Sequence, residues 1–277
     1  MTNTYTLSNS LPLEFEKALT KVTNAVIPLN VPYFIAGATA RDIVLHGVFG
    51  HPPIRATRDI DTALLVSSWS EFESIKKRLL SSGLEATEQA HRLKEPESGL
   101  PIDIIPFGGL ADQSGHIQWP PSHDITMSVV GFQEAYETAI SVDLHGHPLK
   151  VASLPGISML KLMAWDERGD ESNKDATDFY TVLSKYELIH DGRLWEDYVP
   201  GEALDYDIKK QAAFLLGFDL KDLLSEATQT VLARVKEEKH DALITAITRT
   251  HKSAQVDEVE GQLEAFWMGI YGNIEGN

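Results

Sequence analysis

Three carboxylates carry the types and spacing that suit chemistry in this 277-residue chain: Asp59 and Asp61, two apart, and Asp103 further on. Residues two apart on a strand share a face, so Asp59 and Asp61 point together while Ile60 points into the core. Two carboxylates held side by side repel each other. A hard divalent cation such as Mg²⁺ relieves that repulsion, because it prefers oxygen ligands together with nucleotide phosphates. Asp103 stands within the apolar run Leu100 to Phe107. An ionised carboxylate is costly to bury without a partner, so a functional aspartate is the favoured reading over an edge or capping one. Upstream, Gly37, Ala38 and Thr39 form a turn of small residues. A helix that starts after such a turn offers free N–H groups and a positive dipole end to an anion, and Thr39 is placed to cap it. The chemistry read from these residues is phosphate on the turn and metal on the aspartates.

The strands and helices that carry these residues follow from the pattern. Val31 to Ala36 is apolar and β-prone, a buried strand leading into the turn. Asp59 to Val66 reads as the second strand and Leu100 to Phe107 as a third. Leu11 to Ile27 and Ser70 to Leu80 have helical periodicity. Gln89 to Leu93 reads as a strand, and Pro96 to Gly99 is a turn signal. The Gly/His/Pro stretch from Gly47 to Pro53 reads as a surface loop, with a flap over substrate as the sharper alternative. Ala139 to Leu144 and Pro148 to Ala152 flank a hairpin turn. His123, His145 and His147 lie near turns without a third fixed partner, so they read as surface histidines rather than a metal site. From Leu154 onward the pattern is helical: Ile157–Trp165, a helix capped at Ser172 or Asn173 and running through Tyr186, then Ile208–Leu216, Leu220–Lys236, Asp241–Thr250 and Glu258–Tyr271. The domain boundary falls near Leu154, giving domains 1–154 and 155–277.

Composition bounds the class. Apolar content of 43% and charged content of 23% are those of an ordinary soluble globular protein. The absence of cysteine excludes disulfides and thiolate metal sites. No leader pattern and no membrane-length apolar run is present, so a cytoplasmic protein without a membrane partner is the expectation. The net charge is −17, with 41 acidic and 24 basic residues. That balance gives no overall field to draw nucleic acid non-specifically. It suits solubility or a cationic small acceptor, while a local basic patch would still admit RNA.

The turn, the helix and the segment Arg55, Thr57, Asp59, Ile60, Asp61 resemble the polymerase-β-like nucleotidyltransferase superfamily. Its hallmark is a Gly-Gly or Gly-Ser turn opening a helix, followed by an Asp-x-Asp strand. Ala38 departs from that turn at its second position. The stretch Gly37 to Gly47 also resembles the turn of tRNA CCA-adding enzymes, but the further motifs of that subgroup are absent. The later stretch is similar to AbiEii-like, abortive-infection toxin-type nucleotidyltransferases, which carry Lys-x-x-Ala-x-x-x-Arg on a helix and a Lys/Arg-Asp-x-x-Asp-Leu segment shortly after. Lys161, Ala164, Arg168, Lys174, Asp175 and Asp178 match in order, with Phe179 in place of leucine. Taken alone, these residues also read as an amphipathic helical hairpin with charged flanks.

The resemblance, which spans roughly residues 30 to 186, implies an α+β fold: an N-terminal nucleotidyltransferase domain with a mixed sheet flanked by helices, then an α-helical domain completing the nucleotide and acceptor site. It implies Mg²⁺-dependent transfer of an NMP from an NTP to an acceptor hydroxyl on RNA or tRNA, a small molecule or a protein. Asp59, Asp61 and Asp103 would be catalytic and would hold two Mg²⁺ ions, with Mn²⁺ as a substitute. Gly37, Ala38, Thr39, Arg41, Arg58 and Lys161 would bind the nucleotide. Arg168, Asp175 and Asp178 would support them, the aspartates by positioning Lys161 or Arg168. A toxin role would imply a cognate antitoxin. Two further readings stand beside this one. A binding or regulatory module that lost the chemistry is favoured only by Ala38. A metal-dependent phosphohydrolase would need no small-residue turn ahead of its aspartates.

Overall fold

The computed structural model describes residues 4–52 and 57–272. The chain is α+β and divides into two compact units, Met1–Ser153 and Leu154–Asn277.

The N-terminal unit runs β1 (Thr4–Thr6), α1 (Leu13–Val26), β2 (Tyr33–Ala36), α2 (Gly37–Asp42), β3 (Ile60–Val66), α3 (Trp69–Ser81), β4 (Glu85–Ala86), β5 (Arg92–Lys94), β6 (Pro101–Gly108), β7 (His116–Gln118), β8 (Thr126–Ser128), α4 (Phe132–Glu137), β9 (Ile140–Leu144) and β10 (His147–Val151). Eight of these strands form one mixed sheet in the order β1-β9-β10-β2-β3-β6-β5-β4, and β7 and β8 pair separately. The three strands expected around the chemistry sit together at its centre. β2 runs antiparallel to β3, and β3 runs parallel to β6.

The pleat sorts each strand into two faces. On one face lie Ile60, Thr62 and Leu64 of β3 and Ile102 and Ile104 of β6, all buried. The other face changes character along its length. At one end Phe34 and Phe107 meet at 5.7 Å between ring centroids, and Phe132 and Tyr136 of α4 pack against both. One cross-strand step beyond Phe34 and Ala63 the same face carries Asp61 and Asp103. The carboxylates begin where the aromatic cover ends.

Helix α1 buries Phe15, Ala18, Leu19, Val22 and Val26 at helical spacing. Each such large apolar side chain contributes about 1.5–3 kcal/mol on burial. Lys21 of α1 also reaches Glu95 at 2.7 Å, and the Ser98 amide and hydroxyl donate to the same carboxylate. Those contacts hold the Glu95 carboxyl down at about 2, chiefly through the hydrogen bond from Lys21. They anchor the turn joining β5 to β6.

Helix α2 continues without a break into a π-helical turn, Ile43–Val48, so Gly47 and Val48 belong to a helix rather than to the expected loop. The Gly47 carbonyl accepts from the amides of Ser8 and Asn9, and Ser8 Oγ donates to the Val48 carbonyl. The segment after β1 thus straps the end of the helix, and those carbonyls find partners outside the regular ladder. Pro53 and Arg55 lie outside the described residues. The hairpin β9–β10 closes on His145 and Gly146, both left-handed, as a two-residue turn requires.

The C-terminal unit is helical: α5 (Leu154–Arg168), α6 (Lys174–Leu183), α7 (Tyr186–Ile189), α8 (Ile208–Lys221), α9 (Glu226–Glu238), α10 (His240–Thr250) and α11 (Val256–Tyr271). Three boundaries differ from the periodicity reading. The helix expected to run through Tyr186 ends at Leu183, and a separate short helix, α7, begins at Tyr186. Helix α5 starts at Leu154, because Pro155 is tolerated in a first turn, where its missing N–H is not needed. Helix α8 runs through Gly217 to Lys221, and the chain restarts at α9 with Ser225 as its cap. Gly217 is a crossing point and not a stop. A β-carbon there would lie 2.1 Å from the Phe266 carbonyl oxygen of α11, and one at Gly269 would lie 2.1 Å from the Phe214 oxygen. The two helices touch backbone to backbone.

Candidate active site

Asp61 is the cross-strand partner of both Ala36 on β2 and Asp103 on β6, and Asp103 is in turn the partner of Arg92 on β5. Cross-strand partners share a face. Four strands therefore present one row: the end of β2, then two carboxylates, then a guanidinium. Asp59 lies just ahead of β3 and is half-buried, as is Asp61, while Asp103 is buried.

Gly37 directly follows Ala36 and opens α2 with φ of +64°. An added β-carbon there would stand 1.8 Å from Asp61 Oδ2. Glycine is demanded twice, by the left-handed backbone and by the carboxylate packed on its Cα. Ala38, the departure from the Gly-Gly pattern, is buried and helical, so its methyl group is accommodated. Thr39 does not cap the helix; the cap position is Ala36 and has no side-chain bond. The Thr39 hydroxyl donates instead to the Asp59 carbonyl at 2.6 Å. Its side chain ties the turn to the aspartate segment, leaving only its backbone for an anion.

Arg41, expected on the nucleotide, is 2% exposed, with Nε at 2.9 Å and Nη2 at 2.7 Å from Asp42 Oδ1. Asp42 also accepts from the Thr57 hydroxyl. These contacts brace the residues entering β3 against α2, which is a structural role for Arg41. Arg58 is exposed.

Lys161 is likewise not a free cation for a triphosphate. Within the helical unit its Nζ lies 2.9 Å from Asp175 Oδ1 and 2.8 Å from Asp178 Oδ2, and Arg168 Nε lies 2.8 Å from Asp175 Oδ2. The side chains of Lys161, Asp175 and Asp178 are 12%, 4% and 1% exposed, whereas Arg168 is largely open to solvent. Burial alone would lower the Lys161 pKa, but the two carboxylates more than offset it and hold it above its ordinary value. Burial pushes Asp175 up, and Lys161 and Arg168 pull it net below the usual carboxylate range. All of these charges are matched inside one cluster that fixes α5 to α6.

Arg92 was not singled out by sequence reasoning. Its Nε donates to Asp103 Oδ1 at 2.6 Å and its Nη2 to Oδ2 at 2.7 Å. The signal was present: the turn at Pro96 to Gly99 centres a hairpin in which position 92 faces position 103. The hydrogen bonds to Asp103 hold the guanidinium charged beyond its usual range against partial burial, with Asp59 and Asp61 adding attraction.

As donors the three carboxylates are the hard oxygen type that a divalent cation prefers, so the chemistry of the set fits Mg²⁺ or Mn²⁺. Among the described residues, however, no three His, Cys, Asp or Glu side chains converge as a ligand set. Both oxygens of Asp103 are bound by Arg92.

Comparison with known proteins bears on this geometry. A family model described as "Nucleotidyl transferase AbiEii toxin, Type IV TA system" matches residues 32–261. No curated relative matches. Among solved structures, ANT(2")-Ia in complex with adenylyl-2"-tobramycin is 17% identical, covering 65% of this chain and 91% of its own, with a TM-score of 0.42. An antigenic nucleotidyltransferase-like protein from Paracoccidioides brasiliensis is 19% identical over 85% of this chain and 92% of its own, with a TM-score of 0.46.

Two outcomes follow from the packing. Gly37→Ala should destabilise the N-terminal unit by about 1–3 kcal/mol, through the positive φ and the displaced Asp61 carboxylate; urea melts measure this. Lys161→Met should cost about 3–5 kcal/mol at neutral pH, because it removes the buried ammonium shared by two buried carboxylates, of which Asp175 keeps Arg168. The depressed pKa of Asp175 means its contribution is present above the ordinary carboxylate value and lost as pH falls through the folded one. Lys161, with a raised pKa, contributes below its ordinary value and loses that contribution as pH rises through the folded one. The gap between wild type and variant should thus be level around neutrality and narrow at both extremes, as read by melts across pH.

Proposed function

The chain belongs to the AbiEii nucleotidyl transferase family and is a nucleotidyltransferase, and from that premise we propose that Asp59, Asp61 and Asp103 form its reacting centre. The reading supposes that a nucleoside triphosphate binds with its phosphates at the Gly37–Thr39 turn. The observation that carries it is the register of Asp61 with Asp103 on parallel strands, with Gly37 packed beneath Asp61. In the proposed reaction an acceptor oxygen bonds to the α-phosphorus, the bond to the α–β bridging oxygen breaks, and pyrophosphate leaves.

Each chain residue has a part in this scheme. The backbone N–H groups of Gly37, Ala38 and Thr39 face the β- and γ-phosphates at a helix start. Asp59 and Asp61 hold the cation and Asp103 lies nearest the acceptor, whose hydroxyl proton it receives. Mg²⁺, when bound by these carboxylates, supplies positive charge that offsets the phosphates and the attacking and leaving oxygens. Arg58, exposed beside Asp59, is available to the nucleotide. Most of the rate enhancement then comes from positioning and charge neutralisation.

The acceptor belongs to one of three classes: RNA, a small hydroxylated molecule or a protein side chain. The net charge of −17 favours a cationic small molecule, and the toxin family favours RNA or protein. A toxin-type enzyme would have a cognate antitoxin as its regulatory partner, in keeping with the type IV description of the family. Among the described residues no helix is long and apolar enough to cross a membrane.

A transfer assay tests this. Each α-labelled NTP is incubated with Mg²⁺, total RNA and a cell extract, beside Asp61→Asn. Label should move into one acceptor class with wild type only. The variant should lose transfer by about 10²–10³-fold or more, with little change in melting. Transfer retained in Asp61→Asn would overturn the assignment.

A further inference from the structure

Asp103 gives both of its oxygens to one guanidinium, and that guanidinium belongs to the site without being one of its expected parts. Strand β5 lies on the flank of β6 opposite β3, so Asp61 stands on one side of Asp103 and Arg92 on the other. The contact is a two-point fork, 2.6 Å and 2.7 Å, the strong geometry for a carboxylate. It is also held in place from behind. The hairpin turn that sets Arg92 opposite Asp103 is anchored through Glu95 to Lys21 and Ser98. Arg92 feels the negative charge of Asp59 and Asp61 as well as that of Asp103.

A row of three carboxylates is unfavourable until a positive charge compensates it. Arg92 provides one such charge from within the chain. A divalent cation seeks the same oxygens, and its approach to a carboxylate already forked by a guanidinium meets a like charge. This agrees with the lack of a converged three-ligand set among the described residues.

We propose that Arg92 is a resident counter-ion that competes with the divalent cation for Asp103, so that full loading of the site requires the guanidinium to leave that carboxylate. The inference rests on the nucleotidyltransferase reading given above. It makes Arg92 a positioning residue: it keeps the carboxylate row compensated and Asp103 in place before the cation arrives, and it lowers cation affinity in doing so. A purely structural ion pair would do the opposite on removal, since a disordered Asp103 binds a cation less well.

The test is Mn²⁺ binding by the full chain without nucleotide, followed by the electron paramagnetic resonance signal of the free ion. Arg92→Gln should bind Mn²⁺ about tenfold more tightly than wild type, in line with the loss of a charged two-point contact. Arg92→Lys, which keeps the charge but not the fork, should fall between them. Asp61→Asn should bind more weakly than wild type. Affinity unchanged or weakened in a folded Arg92→Gln would overturn the inference and leave the enzyme assignment standing. If Arg92→Gln fails to fold by circular dichroism, Arg92→Lys decides: binding no tighter than wild type overturns the inference. No Mn²⁺ bound at millimolar concentration by wild type or by either Arg92 variant would remove the metal-site reading and this inference together.

Discussion

The carboxylate of Asp61 rests on the Cα of Gly37, at a place where a β-carbon would stand 1.8 Å from its oxygen. Much of the N-terminal unit serves that contact. The antiparallel pairing of β2 with β3 puts Ala36 opposite Asp61, so the next residue must be the turn. The turn must then take positive φ, which glycine alone does without strain. Thr39 binds the Asp59 carbonyl, and Thr57 and Arg41 converge on Asp42. The turn, the helix behind it and the aspartate segment are thereby locked to one another. Parallel pairing with β6 adds Asp103 at the same level. A one-residue slip in either ladder would send a carboxylate to the apolar face.

Charge compensation is the second constraint, and each unit meets it locally. In the helical unit Asp175 and Asp178 share Lys161 and Arg168, and Asp166 is held by Arg234 and Lys239. Asp219 is held by Arg193 and the Tyr186 hydroxyl. These buried and half-buried carboxylates have partners that satisfy them, which is what burial of ionised groups demands. On the sheet Arg92 holds Asp103, and Asp61 stands at the same level on β3.

Much of this was legible in the sequence, and the remainder was hidden for physical reasons. The central strands follow from their apolar runs, and Asp103 stands out as a carboxylate inside one of them; its register with Asp61 is set by pairing between strands, which no period along one strand shows. Strand β1 and helix α4 escaped notice, because three exposed residues and six residues show no periodicity to read. The continuation of α2 into Val48 depends on the carbonyl partners provided by Ser8 and Asn9, which lie far off in the chain. Lys161 shows a limit of another kind. Asp175 and Asp178 are expected to position it and they do bind it, but the burial of its charge between them is not visible from residue types and spacing. Arg92 was readable, had the hairpin been counted outward from Pro96 to Gly99. The expected end at Leu216 falls short because what Gly217 packs against, the Phe266 carbonyl on α11, lies 49 residues away by sequence number.

In the proposed reading the carboxylate row and the Gly37 turn together form one cation and nucleoside triphosphate site. Thermal melting with NTP and Mg²⁺, separately and together, tests this most directly. Ligand at 100 times its Kd stabilises the folded state by about 2.7 kcal/mol. The expected result is a saturable rise in Tm that needs NTP and Mg²⁺ together and is absent in a folded Asp59→Asn variant. No rise with any of the four nucleotides, or an equal rise in Asp59→Asn, would rule out such a site.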